Sequence, residues 1–348
     1  MFSELARTVA AGQELGPEGI SGLVDALGDT AQPVGDRADF LIAWAIRGET
    51  PAEVAALASE LRNRSVAVPL SESFRQSREI LDVCGTGGDR LNTFNISTTV
   101  ALVCAAAGVP VAKHGNRAIT SKSGSADVLE ALGIPLDLSP EAAARAIEEV
   151  HFAFLFAPRF HPAFKGIAPV RALCAERGQR TVFNRLGPLL NPARPSAQLL
   201  GVSRTEWVEP MAKTLQALGL RRGMVVSGEV PGHGTLDELS TLGTNHVAEF
   251  YQDRGFSASS GSASDFPLIP ATLADLEGGS AADNAGIIVR ILEGTDRGPR
   301  RDAVLLNAAA ALFVGARVRS MSQGWDLAEK LLQDGTVLKT LESLRQTG

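Results

Sequence analysis

Apolar residues recur at helical spacing through the first 64 positions of the chain, in four stretches separated by glycine or proline. These are "SELARTVAAGQ" (3–13), "GPEGISGLVDALG" (16–28), "DRADFLIAWAIRG" (36–48) and "TPAEVAALASELRNR" (50–64). The fourth has a marked start. Thr50 can cap, Pro51 suits the first helical position, and Glu53 stands three residues after the cap. From about residue 79 the pattern changes to alternation. Short apolar runs, "EILDVC", "VPVAKH", "FAFLFA", "AQLLGV", "GMVVSG" and "HVAEFY", predict strands. Between and after them, "NISTTVALVCAAAG", "SADVLEALG", "SPEAAARAIEEV", "TEWVEPMAKTLQALG" and the runs 303–317 and 325–345 predict helices. "SASSGSASD" (257–265) reads as a surface loop. The expected fold is a small all-helical N-terminal domain (1–70) followed by a large α/β domain (71–348) with a mainly parallel central sheet.

Composition narrows the class without naming it. The 348 residues can bury a large core, and 45% hydrophobic with 21% charged residues is ordinary for a soluble globular chain. A net charge of −6 gives no broad attraction to nucleic acid or anionic membrane, so any phosphate chemistry must come from a local site. Three scattered cysteines make no CxxC pair, which points to a reducing compartment. The start of the chain is amphipathic and acidic, unlike a secretory signal, and the apolar runs are too short and interrupted to span a bilayer. A cytoplasmic protein is expected.

Two segments carry candidate chemistry. "DVCGTGGDRLNTFNISTT" (82–99) places glycines, aspartates and hydroxyl residues between a strand and an apolar helix. Glycines let backbone N–H groups approach a ligand, and the first turn of a helix offers free N–H donors with positive potential. The spacing is neither GxxxxGK[ST] nor GxGxxG, so a nucleotide P-loop or a dinucleotide fold is not indicated. "KHGNRAITSKSGSADVLEALG" (113–133) repeats the strand–loop–helix plan and gathers Lys113, Arg117 and Lys122 with several serines. In a parallel sheet both loops reach the same edge, where α/β proteins bind ligands. A substrate bearing several phosphates suits such a pair.

Taken together, "GTGGD", "NIST", "KHGNR", "GSADVLEALG", "FLFAPRFHPAFKGIAPVR", "RTVFNRLGPLLNP" and "LDELS" resemble the anthranilate phosphoribosyltransferase family, in order and over nearly the whole chain. The resemblance implies a nucleoside phosphorylase/phosphoribosyltransferase-like fold with the active site at the hinge between the domains. It also implies a homodimer formed through the helical domain with a contribution from about 162–182. The implied reaction moves phosphoribose from phosphoribosyl diphosphate to the amino nitrogen of anthranilate, releasing diphosphate.

Site residues follow from the same resemblance. Gly85, Gly88, Asp89 and Thr93, then Asn95, Ile96, Ser97 and Thr98, are implied to bind phosphoribosyl diphosphate. Lys113, His114, Gly115, Asn116 and Arg117 continue that cradle, with Ala118, Ile119, Thr120, Ser121 and Ser125. Asp237, Glu238 and Ser97 are implied to hold magnesium, as two ions. Arg171, Asn116 and Gly85 are implied to contact anthranilate, with a guanidinium fork suited to its carboxylate. From the residues alone, Arg177 and Arg180 are equally available for that role. No general base is assigned, because an aromatic amine can shed its proton after the C–N bond forms.

Three positions depart from the family's commonest pattern: Arg90 where glycine usually follows GTGGD, Thr120 where serine is usual, and Phe164 where tyrosine or methionine is frequent. Two other readings share the fold. A pyrimidine nucleoside phosphorylase would use free phosphate and would not need the Asp237–Glu238 pair. A non-catalytic nucleic-acid-binding relative would carry a basic surface, which this chain lacks.

Overall fold

A computed structural model describes residues 1–118, 122–252 and 255–347. Among the described residues one sheet contains β1 (Leu81–Gly85), β2 (Val111–Gly115), β3 (Phe152–Phe156), β4 (Ala197–Gly201), β5 (Arg222–Val230), β6 (Gly234–Leu236), β7 (Thr244–Tyr251) and β8 (Gly255–Ser262). Its order is β3-β2-β1-β4-β5-β7-β8, with β6 beside β5. The five strands from β3 to β5 run parallel. β6, β7 and β8 join antiparallel. The sheet is therefore mainly parallel, as the alternating pattern predicts. Strands buried on both faces need near-continuous apolar sequence, and β3, "FAFLF", supplies it. Two buried charges interrupt the pattern, Asp82 in β1 and Lys113 in β2.

Chain order runs outward from β1 through β2 to β3, then returns to the other side of β1 with β4 and β5. The direction of winding thus reverses between β1 and β4. Such a switch point leaves a crevice at the carboxyl ends of the strands.

Helices cover both faces. Ile96–Ala106, Ala281–Leu292, Pro299–Val314, Met321–Gln333 and Thr336–Leu344 pack on one. On the other, Val208–Ala217 shares a core with the N-terminal helices Phe2–Ala10, Pro17–Gly28, Val34–Arg47 and Pro51–Asn63 and with Phe164–Glu176. Gly166 allows the last of these to lie against the end of Pro17–Gly28, since a Cβ there would come within 2.2 Å of the Gly28 carbonyl oxygen. The predicted cap at Thr50 is formed: Glu53 N–H donates to Thr50 Oγ1 (3.3 Å) and Thr50 N–H donates to Glu53 Oε2 (2.9 Å).

Three readings need correction. The segment read as a loop at 257–265 lies largely in β8, an exposed edge strand whose backbone pairs with β7. Its serines and glycines carry no strand signature, because pairing there satisfies the backbone while the side chains stay in solvent. The helix Ala281–Leu292, capped by Ser280 and Asp283, is a further element that the pattern does not predict. The single run at 325–345 is two helices, divided at Gly335, whose φ is +73°. Among the described residues no helix is long and apolar enough to cross a membrane.

Candidate active site

β1 and β4 end in register, with Gly85 opposite Gly201. Asp237, one residue beyond β6, lies across both ends. A Cβ at Gly85 would sit 2.0 Å from Asp237 Oδ2, and one at Gly201 would sit 1.6 Å from the Asp237 carbonyl oxygen. Only glycine fits at either position. Gly87 N–H donates to Asp237 Oδ2 (2.7 Å), and Ser97 N–H, in the first turn of Ile96–Ala106, donates to Glu238 Oε1 (3.1 Å). An acidic pair therefore faces the N–H groups of the glycine loop, directly over the switch point.

The electrostatics of that pair are unusual. Burial, then the charges of Asp89 and Glu238, push the Asp237 carboxyl well above its ordinary range. Burial raises Glu238 to about 7, against the opposing pull of Lys113 and the Ser97 N–H. Lys113 is itself buried; its ammonium donates to the Val83 carbonyl (2.6 Å) and to Ser97 Oγ (3.4 Å). Among the described residues no three His, Cys, Asp or Glu side chains close into a metal cage. Magnesium does not need one, since it commonly takes one or two carboxylates and fills its octahedron with water and substrate phosphate oxygens. Two crowded carboxylates with raised affinity for protons fit such a cation.

The two loops differ in how they present donors. In the first, Gly87 (φ +70°) and Gly88 (φ +85°) are left-handed, and so are Arg90 (φ +62°) and Asn92 (φ +54°). The left-handed backbone at Arg90 explains why glycine suits that position, because a Cβ there is disfavoured. Asp89 Oδ1 accepts the Leu91 N–H (3.2 Å), and Thr93 bridges to Glu277. Asn95 Nδ2 donates to the Ser123 carbonyl (3.4 Å), tying the first loop to the second. Ile96 is a core residue whose N–H is spent on Phe94 O, and Thr98 is buried.

In the second loop, Gly115 is enforced by Ser125 Oγ, which would lie 2.3 Å from a Cβ. Ser125 Oγ donates to Asn116 O (3.4 Å), Asn116 Oδ1 accepts the Arg117 N–H (2.8 Å), and Ala118 N–H donates to Asp127 Oδ2 (2.9 Å). The Arg117 guanidinium is held by Asp127 and Glu130 and is not turned to the glycine loop's acids. Ile119, Thr120 and Ser121 lie outside the described residues.

An aromatic wall leads away from the end of β2. His114 Nδ1 stands 3.2 Å from the Gly187 carbonyl oxygen. Its ring is 5.1 Å from His161, which is 5.8 Å from Phe164, which is 6.1 Å from Phe183. Arg171 sits over the last two rings, at 6.0 and 5.9 Å. Burial alone acts on its guanidinium, lowering its pKa, and it has no carboxylate partner among the described residues. Arg177, by contrast, pairs with Asp39 (2.5 Å), and Arg180 stands beside Gly88. Burial, then the neighbouring His161 ring, lower His114 to about 3; burial lowers His161 to about 4. Both imidazoles are neutral near pH 7. The sequence assigns no role to His161, although it lies in a family-like motif, or to Asn284, which bonds Asn95; their positions in the fold reveal them.

Residues 77–338 match the model of the glycosyl transferase family, a/b domain. An anthranilate phosphoribosyltransferase of Desulfatibacillum aliphaticivorans is 41% identical, over 99% of this chain and 98% of that protein. The chain belongs to the anthranilate phosphoribosyltransferase family. The family member from Symbiobacterium thermophilum is 46% identical over 89% of this chain and 86% of its own length. Among solved anthranilate phosphoribosyltransferases, that of Thermus thermophilus superposes with a TM-score of 0.88 at 42% identity, covering 99% of this chain and 98% of that one. The Saccharomyces cerevisiae enzyme in complex with phosphoribosyl diphosphate and magnesium superposes with a TM-score of 0.81 at 27% identity, covering 95% and 92%.

Proposed function

We propose that this site transfers the phosphoribosyl group of phosphoribosyl diphosphate to the amino nitrogen of anthranilate, the second step of tryptophan biosynthesis from chorismate. The observation that carries the assignment of roles is the acidic pair set against the N–H groups of Gly87 and Ser97 over the ends of β1 and β4. Family membership supports the reaction, and the yeast relative's complex supports its donor substrate and metal.

In this reading the C1–O bond of the donor breaks through an oxocarbenium-like state, as in glycosyl transfer generally. Asp237, Glu238 and Ser97 would hold magnesium, as two ions, which supplies positive charge against the leaving diphosphate. Gly85, Gly88, Asp89, Thr93 and Asn95 line the loop beside the diphosphate, and the helix N-terminus at Ile96, Ser97 and Thr98 adds positive potential. Lys113, His114, Gly115 and Asn116 form the opposite side, with Ala118 and Ser125 shaping that loop. Arg117, held by two carboxylates, reaches substrate only if those pairs open. Arg171 receives the acceptor's carboxylate at the end of the aromatic wall, while Asn116 and Gly85 contact its other end. The neutral His114 is assigned no proton transfer, and the amine sheds its proton after the bond forms, with no dedicated base required.

The division into a helical domain (1–70) and an α/β domain (71–348), and a homodimer through the helical face with about 162–182, belong to the same reading. Exposed Ile46 (77%) and Met1 (57%) on the helical region support an apolar contact there. Free cysteines accord with a cytoplasmic location. The alternatives are not favoured: the acidic pair has no task in a phosphorylase using free phosphate, and a net charge of −6 opposes nucleic-acid binding. The deciding experiment follows anthranilate fluorescence with phosphoribosyl diphosphate and magnesium. Equimolar loss of anthranilate and release of diphosphate is expected; no loss with any pairing of these substrates overturns the assignment.

A further inference from the structure

The loop bearing Asn95 is backed by a strap, residues 276–284, that the reaction scheme leaves without a role. Phe94 N–H donates to Leu276 O (3.1 Å) and Gly278 N–H donates to Asn92 O (2.8 Å). Contact is close enough that a Cβ on Gly278 would lie 2.7 Å from Phe94 Cα and 2.7 Å from Asn284 Oδ1. Asn284, 2% exposed, is the side chain that joins strap to loop. Gly279 N–H donates to Asn284 Oδ1 (2.7 Å), and Asn284 Nδ2 donates to Asn95 Oδ1 (2.8 Å).

This chain of bonds has a fixed polarity. A backbone N–H can only donate, so the atom of Asn284 facing Gly279 must be its oxygen. Its amide nitrogen therefore faces Asn95, and the atom of Asn95 that meets it must also be oxygen. The NH2 group of Asn95 is left pointing the other way, where one proton goes to Ser123 O (3.4 Å) and the second has no partner among the described residues. Flipping the Asn95 amide would set two NH2 groups against each other and two oxygens together, leaving donors and acceptors unsatisfied at a buried junction.

We propose that Asn284 is a positioning residue for the donor substrate. It locks the Asn95 amide so that a donor, never an acceptor, faces the anionic phosphates, and it holds the first loop against the second. The inference rests on the reading that Asn95 contacts phosphoribosyl diphosphate.

The discriminating variant is Asn284→Asp. A carboxylate still accepts the Gly279 N–H but offers oxygen to Asn95. Asn95 then satisfies itself by turning its NH2 toward the introduced carboxylate and its oxygen toward the phosphates. The Michaelis constant for phosphoribosyl diphosphate should rise about tenfold or more, while that for anthranilate stays within about twofold. Asn284→Ala, which removes the lock without reversing it, should give a smaller rise. Both variants are repeated on Asn95→Ala, where the amide to be oriented is gone. There the two Asn284 substitutions should have equal and small effects on the phosphoribosyl diphosphate constant. If Asn284→Asp and Asn284→Ala act equally in both backgrounds, or impair both substrates alike, Asn284 is only a structural brace and the inference fails. If Asn95→Ala alone leaves the phosphoribosyl diphosphate constant unchanged, the underlying reading of the loop fails instead.

Discussion

Arg171→Ala separates recognition of the two substrates. The guanidinium lies over Phe164 and Phe183 and has no carboxylate partner among the described residues, so its removal breaks no ion pair. Lost cation–π contacts cost about 0.5–1 kcal/mol each. Relief of the guanidinium's desolvation offsets part of that, and the melting temperature should move by only about 2 °C. Binding is different. A charge-assisted pair with a carboxylate contributes about 1.5–3 kcal/mol, so the Michaelis constant for anthranilate should rise about tenfold to a hundredfold. The constant for phosphoribosyl diphosphate should change far less. Steady-state fluorescence with each substrate varied in turn gives both numbers. Aniline supplies the control: without a carboxylate it should be a poor acceptor for the wild type and lose little more in the variant. If Arg171→Ala impairs aniline and anthranilate equally, or lowers the melting temperature sharply, Arg171 is structural. Arg180, beside Gly88, would then be the next candidate.

Three further predictions test other parts of the site. Asp237→Asn combined with Glu238→Gln should abolish turnover yet leave circular dichroism unchanged; retained activity with the same magnesium dependence would refute the metal assignment. Gly201→Ala introduces a methyl where only 1.6 Å is open, so it should displace Asp237 and raise the magnesium concentration needed for half-maximal rate; an unaltered requirement would show that the 237–238 loop can sit elsewhere. The lowered pKa values of His114 and His161 predict that stability is complete above the unfolded value of about 6.5 and is lost as pH falls toward the folded values. Two such protons give at most about 2.7 kcal/mol per pH unit, and His161→Gln should remove about half of that slope in urea titrations between pH 6 and 5, whereas an unchanged slope would mean that His161 is not held neutral.

What was legible in the sequence was local. The strand–loop–helix units announced themselves because glycines, hydroxyl residues and an apolar helix follow one another within a few positions. The N-terminal helices did so through periodicity and the Thr50–Glu53 cap. β8 was not legible, since its exposed Gly and Ser residues are held by backbone pairing alone. Residue types alone gave no reason to prefer Arg171 over Arg177, and only the family resemblance did; Asp39, distant in the chain, removes Arg177 from the choice. Nor could spacing show why Gly85 and Gly201 are glycines, because the reason is a third segment, Asp237, that the sheet's register brings over both. Arg90 shows the reverse case. It stood out from sequence as a departure, and its left-handed φ supplies the physical meaning.

Buried charge in the middle of a parallel sheet is costly unless it is paired and hydrogen-bonded. Lys113 links the structural and the chemical parts of this site. Asp82 is fully buried, its pKa raised by burial to about 6 and drawn back by the Asn191 amide and by Lys113. Glu238 feels the same ammonium. One buried ammonium thus acts on two buried acids, Asp82 and Glu238. In the proposed complex Asp237, Glu238 and Ser97 would hold magnesium, which would supply positive charge against the diphosphate. Burial, then the charges of Asp89 and Glu238, raise the Asp237 carboxyl well above its ordinary range, and burial raises Glu238 to about 7. The same crowding of acids favours a divalent cation carrying an anionic substrate. Folding and binding are thereby coupled, and magnesium with phosphoribosyl diphosphate should raise the melting temperature more than either does alone.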